Sequence, residues 1–135
     1  MNRQQIEKFI GKIYSSLPVT VRYFTDKSSN ANLGVAWWIM PEKKPVISLN
    51  SFFIRRKRYT RQNNSPIKVC LLHELGHIKN GDRGFDSTQE LKAQLFAIRT
   101  AKRLKMQRVH KEAVYWLWSW EYLNGPFSKK CITYL

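Results

Sequence analysis

The sequence predicts a single α+β domain, spanning residues 1–135, in which a small antiparallel three-stranded sheet packs beside a long helix. Two observations support this expectation. Apolar residues recur at helical spacing near the N-terminus and again throughout the second half of the chain. Between these regions lie three short runs that are rich in β-branched and aromatic residues. Strands that are grouped together, rather than alternating with helices, are typical of the α+β class.

The first helix and the strands follow from local patterns. Apolar side chains recur every three or four residues between positions 6 and 17, so residues 1–17 are predicted to form an amphipathic helix that ends before Pro18. The three β-branched and aromatic runs predict strands at residues 19–24, 34–40 and 46–50. A polar loop and a proline-containing turn separate them, so neighbouring strands are expected to pair.

Three further helices are predicted in the second half of the chain. Residues 67–79 form the first, with Ser65 as its cap, Pro66 in its first position and Gly81 at its end. A second helix follows a short glycine-containing turn. The last helix covers residues 111–123, and its many tyrosines and tryptophans are expected to lie in the core.

The most informative motif is the run His73-Glu74-Leu75-Gly76-His77 in the first of these helices. Residues four apart lie on one face of a helix, so both imidazoles can bind one metal ion. Glu74 follows the first histidine and can reach a water molecule bound to that ion. The pattern predicts one catalytic zinc ion and hydrolysis of a peptide bond, with Glu74 as the general base. The alternative is two ordinary histidines of the core or surface.

A catalytic zinc site needs a third protein ligand, with water in the fourth position. Glu90 is the preferred candidate because it opens the second helical pattern. Small residues such as Ala93 on the same face let this helix approach the first one closely. Glu90 also ends a capping-box pattern that begins at Ser87, in which it would only satisfy a backbone N–H group.

Other third ligands fit the spacing less well. Asn80 and Arg83 occupy the positions where a metzincin would have glycine and histidine, which excludes that class. His110, the remaining histidine, lies far along the chain in a basic stretch. Cys131 is an alternative fourth ligand near the C-terminus, whereas Cys70 is expected to be a small buried residue of the core.

With these residues, the sequence resembles the gluzincin zinc metallopeptidases, whose third ligand is a glutamate in a Glu-x-x-Ala-Asp pattern. The resemblance rests on the histidine motif followed by Glu90 and Ala93, and it covers residues 19–104. The small size is similar to that of the minigluzincins of the abylysin and jannalysin type, and a related pattern occurs in the ImmA/IrrE family. Gln94 stands where the family usually has an acid that supports a ligand histidine.

The resemblance implies a minimal metallopeptidase domain in which an edge strand of the sheet, residues 34–40 or 46–50, binds the substrate as an extra strand. Minigluzincins look like zymogens, so the C-terminal tail at residues 126–135, or the N-terminal helix, is expected to cover the cleft of a latent enzyme. A second group that stabilises the transition state is also expected, and His110, Tyr115 or an arginine are open candidates.

The formal net charge is +15, from 24 Lys and Arg against 9 Asp and Glu. Such a charge favours nucleic acid or an acidic substrate as a partner, but no nucleic-acid-binding motif accompanies it. The alternative is an ordinary positive surface exposed to solvent. No apolar stretch reaches the length of a membrane span, and no signal-peptide core follows the N-terminus. The two cysteines form no disulfide framework, so a cytoplasmic location is expected.

The expected function is that of a zinc endopeptidase acting on a peptide or protein substrate. Two alternatives remain open. One is a DNA-associated regulatory protease that cleaves a repressor, which the ImmA-like resemblance implies. The other is a structural zinc protein without activity, which would have a closed site of four protein ligands.

Overall fold

A helix, three strands and four further helices follow one another in the computed structural model, which describes residues 1–16, 18–29, 31–82 and 86–119. This order confirms the predicted α+β class. The predicted tail at residues 126–135, the end of the last predicted helix and Cys131 lie outside the described residues. The elements are α1 (Arg3–Ile13), β1 (Thr20–Phe24), β2 (Gly34–Ile39), β3 (Lys44–Asn50), α2 (Ser51–Ile54), α3 (Lys57–Asn80), α4 (Ser87–Arg103) and α5 (Gln107–Ser119).

The sheet is mixed, so the prediction of an antiparallel sheet is wrong. β3 is the central strand and pairs in parallel with β1 and antiparallel with β2. The loop after β1 carries the chain to the far edge of the sheet, and β3 returns between the two earlier strands. β3 is the most deeply buried strand, with Val46, Ile47 and Leu49 fully buried, and its apolar side chains suit this central position. Of the two strands considered as an open edge, only β2 lies at one.

The N-terminal helix is shorter than predicted. α1 ends at Ile13, because Tyr14 already has extended backbone angles. At its start, the Asn2 side chain accepts a hydrogen bond from the Gln5 backbone N–H group and the Gln5 side chain accepts one from the Asn2 backbone N–H group. Ile6 and its neighbours on that face pack into the core beside β1.

α3 contains two helical segments that meet at a turn. Residues 61–64 leave the helical conformation, and Gln62, Asn63 and Asn64 adopt positive φ angles of 51°, 58° and 61°. The second segment contains the predicted helix at residues 67–79. Ser65 does not cap this segment as predicted, since its hydroxyl donates to the Gln62 carbonyl oxygen at 2.6 Å. Pro66 lies in its first turn, where a missing N–H group breaks no helical hydrogen bond.

Gly76 allows α4 to lie directly against the second segment of α3. A Cβ atom added at position 76 would lie 2.9 Å from the Ala93 Cα atom and 3.0 Å from the Ala93 carbonyl oxygen. Both are backbone atoms, so the helices would have to separate to admit it. The predicted close approach of the two helices through small residues is therefore confirmed.

α5 packs against α3 and α4 through Val109, Ala113 and Leu117. Trp116 is partly buried, but Tyr115 and Trp118 are 64% and 54% exposed. The expectation that the aromatic residues of this helix are core is therefore wrong for Tyr115 and Trp118. Successive residues are 100° apart around a helix, so Val109, Ala113 and Leu117, which are four apart, lie on one face. Tyr115 and Trp118 lie on the opposite face. None of the described helices is both long enough and apolar enough to cross a bilayer.

Replacing Gly76 with alanine is expected to lower the free energy of unfolding by about 1–3 kcal/mol, because extra atoms are forced into a filled contact. Gly11→Ala is the matched control, since no atom lies within 4 Å of a Cβ added at position 11. Alanine in that helix is expected to stabilise the protein by about 0.5–1 kcal/mol. Urea unfolding measures both variants. A Gly76→Ala protein as stable as the parent would contradict the tight helix contact.

Candidate metal centre

Three side chains from two helices converge at one point. His73 and His77 project from the same face of α3, and Glu90 projects toward them from the first turn of α4. The Glu90 carboxylate oxygens lie 2.8 Å from His73 Nε2 and 3.1 Å from His77 Nε2, and the two Nε2 atoms are 3.2 Å apart. The structure thus brings together all three residues that the sequence predicts as metal ligands.

These separations fit a small cation. In a tetrahedral site with zinc–ligand bonds of about 2.0–2.2 Å, neighbouring ligand atoms lie roughly 3.3–3.6 Å apart. The distances in the cluster are slightly shorter because the side chains interact directly with one another. A small outward movement of each side chain would match the tetrahedral distances, with one coordination position left for a non-protein ligand.

Gln94 orients the first histidine. Its side-chain amide N–H donates to the Ala113 carbonyl oxygen at 2.8 Å, which identifies the other amide atom as the oxygen. That oxygen lies 2.9 Å from His73 Nδ1 and accepts a hydrogen bond from it, which leaves Nε2 as the ring nitrogen that faces the cluster and would bind a metal ion. Gln94 is fully buried. A neutral amide thus makes the supporting contact that the family resemblance assigns to an acid.

Asp82 orients the second histidine, and it was missed from the sequence. Its carboxylate lies 3.0 Å from His77 Nδ1, and its backbone N–H donates to the His77 carbonyl oxygen at 3.0 Å. Gly81 makes this possible, because its left-handed φ of 69° turns the chain back toward the last turn of α3. An acid directly after a helix-ending glycine, five residues beyond a ligand histidine, was the available signal.

Glu74 lies beside the cluster and not in it. The side chain is buried, yet it lines both cavities that open over the cluster. Burial raises the pKa of this carboxyl above its usual value. The neighbouring imidazoles and the Ala36 backbone N–H group of β2 act in the opposite direction, and the Glu90 charge raises the pKa further. Glu74 is therefore positioned between the cluster and the open edge of the sheet.

The pKa values of the cluster show strong mutual attraction. Burial disfavours the charged form of His77, but its hydrogen bonds to Glu90 and Asp82 outweigh burial and raise its pKa to about 9. Burial likewise disfavours the Glu90 carboxylate, but hydrogen bonds from His73 and His77 lower its pKa to about 2. In the metal-free protein at neutral pH, Glu90 is therefore an anion, and His77 is a cation with a proton on each ring nitrogen.

A cleft runs over the cluster along the edge strand β2. One cavity of about 280 Å³ is bounded by residues of β2 and by Glu74, His77 and Asp82. A second cavity of about 170 Å³ adjoins it and is closed by Trp116 of α5. α1, which was one of the two segments expected to cover the cleft, packs instead beside β1 and α3 through Ile6 and Ile10.

The remaining candidate residues do not join the cluster. Asp86, rather than Ser87, caps α4, so the Glu90 carboxylate is directed to the histidines and not to a backbone cap. His110 lies beside Lys102 of α4, and burial together with that positive charge lowers its pKa. Cys70 is buried, as expected, and its sulfur would lie 2.7 Å from a Cβ atom added at Gly34.

Among the described residues, the group able to hold a metal ion consists of His73, His77 and Glu90. Comparisons with protein-family models, with curated proteins and with solved structures find no match to this chain. The geometry of the cluster and its surroundings is therefore the basis on which a function can be inferred.

Asp82→Ala is expected to weaken zinc binding by about 10–100-fold, the usual effect of removing the partner of a ligand histidine. The carboxylate accepts a hydrogen bond from His77 Nδ1, so it favours the tautomer in which Nε2 is the nitrogen that can bind zinc. Asp82→Asn is the matched control, because its amide oxygen can accept the same hydrogen bond, and it should lose less affinity. Competition with a chelating dye measures both. Equal losses in the two variants would contradict an orienting role.

Zinc uptake by the metal-free protein is expected to release a proton at pH 7. His77, with a pKa of about 9, is protonated there, and the proton must leave before Nε2 can bind a metal ion. The apparent affinity should therefore rise as the pH increases from 7 toward 9. Titration calorimetry in two buffers with different ionisation enthalpies counts the protons, and uptake without proton release would contradict the raised pKa.

Proposed function

We propose that this chain is a zinc-dependent endopeptidase. The observation that supports the proposal is the convergence of His73, His77 and Glu90 beside Glu74, a buried carboxyl that does not belong to the cluster. A cleft lined by an open sheet edge runs past all four residues. Such an arrangement suits an extended peptide, which can add to an edge strand through main-chain hydrogen bonds.

The residues fit the proposed metal. Two imidazoles and one carboxylate are a donor set of catalytic zinc sites, which keep one position open. His73, His77 and Glu90 would hold the ion, and Gln94 and Asp82 fix the tautomers that point both Nε2 atoms at it. Bound zinc supplies Lewis acidity, which activates water and stabilises negative charge on a carbonyl oxygen.

Glu74 is the proposed general base. Burial moves the pKa of Glu74 toward neutral pH. A general base is most effective when its pKa lies near the pH at which the reaction runs. In the proposed reaction the Glu74 carboxylate takes a proton from the attacking water and then delivers it to the nitrogen of the leaving amine. The backbone of Ala36 interacts with this carboxylate, which holds it at the edge of β2 where a bound peptide would lie.

A structural zinc site fits the residues less well. A closed site needs four protein ligands, and within the described part of the chain no fourth His, Cys, Asp or Glu joins the cluster. A DNA-associated protease remains the second candidate, supported by the basic residues around the turn between α4 and α5, among them Lys102, Arg103, Lys105 and Arg108. We also propose that residues 126–135 keep the enzyme latent. A cytoplasmic location is part of the proposal too, and the free thiol of Cys70 is consistent with it.

Glu74→Gln is expected to lower the rate of peptide hydrolysis by about 10²–10⁴-fold while zinc binding is retained, because only the base is lost. Glu90→Ala should lose bound zinc as well as activity. Zinc content is measured by elemental analysis, and cleavage of a mixed peptide library is followed by mass spectrometry. A parental hydrolysis rate in Glu74→Gln would exclude Glu74 as the base, and undiminished zinc in Glu90→Ala would exclude the proposed third ligand.

A further inference from the structure

A second recess lies beyond Trp116, next to the cleft over the candidate metal centre. Leu33 and Trp116 line both the cavity next to His73 and a recess of about 380 Å³ on the far side. Leu33 and Trp116 therefore stand between two adjacent spaces. A peptide that lies over the cluster along β2 would place its neighbouring residues close to this recess.

Trp116 forms a wall with a defined orientation. Its indole N–H donates to the Glu112 carboxylate at 2.9 Å, and the Arg61 guanidinium binds the same oxygen at 2.5 Å. Glu112 is only 8% exposed, so the carboxylate that holds the indole is buried, although 41% of the Arg61 side chain is exposed. The Arg61 contact also connects α5 to the turn within α3. The hydrogen bond to Glu112 therefore holds the Trp116 ring in one orientation, in which it lines the recess.

The recess combines apolar walls with positive charge. Leu33, Pro66 and the aromatic residues Tyr59, Tyr115 and Trp116 form part of its wall, and polar and charged side chains form the rest. The charge of Arg61 is balanced by Glu112, whereas the guanidinium of Arg58 lies over the Tyr59 ring, 5.6 Å from its centroid. Pockets for small ligands have volumes of about 300–1,000 Å³, so the recess has room for one large side chain and an adjacent carboxylate.

We infer that this recess is a specificity pocket that selects peptides in which a large apolar residue stands next to an acidic one. The apolar side chain packs on Trp116 and Leu33, and the carboxylate binds Arg58. The inference rests on the proposed function, because it assigns the recess to the substrate of that same cleft. The net charge of +15 attracts acidic ligands to the whole surface. The charge of Arg58, by contrast, would favour peptides whose acidic residue stands at one particular position.

The experiment measures binding, so its result does not depend on turnover. Zinc-loaded Glu74→Gln protein is titrated with fluorescent peptides that carry Leu-Asp or Leu-Asn at successive positions along the same polyalanine sequence. We expect one register in which the Asp peptide binds more tightly. In that register Arg58→Ala should weaken binding of the Asp peptide by about 2–5-fold, the size of one exposed charge pair, and leave the Asn peptide unchanged.

Arg55→Ala is the matched control for general electrostatics, because it removes the same charge from an exposed residue that lines none of these cavities. Equal effects of Arg55→Ala and Arg58→Ala, or equal binding of the Asp and Asn peptides in every register, would overturn the inference. Selective binding without hydrolysis by the zinc-loaded parent would instead overturn the proposed peptidase. Hydrolysis without Arg58-dependent selectivity would overturn the specificity pocket alone.

Discussion

The contact between Gly76 and Ala93 is the constraint on which the cluster of His73, His77 and Glu90 depends, because it determines the distance between α3 and α4. The two histidines belong to one helix and the carboxylate to the other, so only a close approach of the two backbones lets Glu90 reach both imidazoles. A side chain at position 76 would separate the helices at the level of the cluster. The small residues in this contact therefore allow the core to pack and also keep Glu90 within reach of the two histidines.

Hydrogen bonds around the histidines connect the cluster to the rest of the fold. Gln94 joins His73 to the backbone of α5 through Ala113. Asp82 joins His77 to the sheet, because its carbonyl oxygen accepts a hydrogen bond from the Trp38 indole of β2 at 3.3 Å. Each histidine of the cluster is thus oriented by a residue that also contacts a further element, α5 in one case and β2 in the other. Rigid support of this kind lowers the cost of arranging ligands around an ion.

Charge is distributed unevenly between the surface and the cleft. Of the nine acidic residues, Glu74, Asp82 and Glu90 lie at the metal centre and Glu112 is buried behind Trp116. The exposed surface is consequently dominated by lysine and arginine. This arrangement concentrates negative charge at the cluster and leaves positive charge over the rest of the surface. A cation at the cluster and an acidic ligand in the neighbouring recess would each be attracted by these charges.

Local patterns in the sequence were sufficient to predict the α+β class, the helix that carries His73 and His77, and the proximity of Glu90 to these histidines, because residue spacing along a helix and small contact residues can be seen in the sequence. Strand order was not predictable, since periodicity shows that β3 is a strand but not that it lies between β1 and β2. Asp82 and Trp116 likewise acquire their roles only in three dimensions. One depends on the left-handed turn at Gly81, and the other on the packing of α5 beside the cleft. The residues in these contacts come together only when the helices and strands pack against one another. A local sequence pattern therefore cannot predict that they meet.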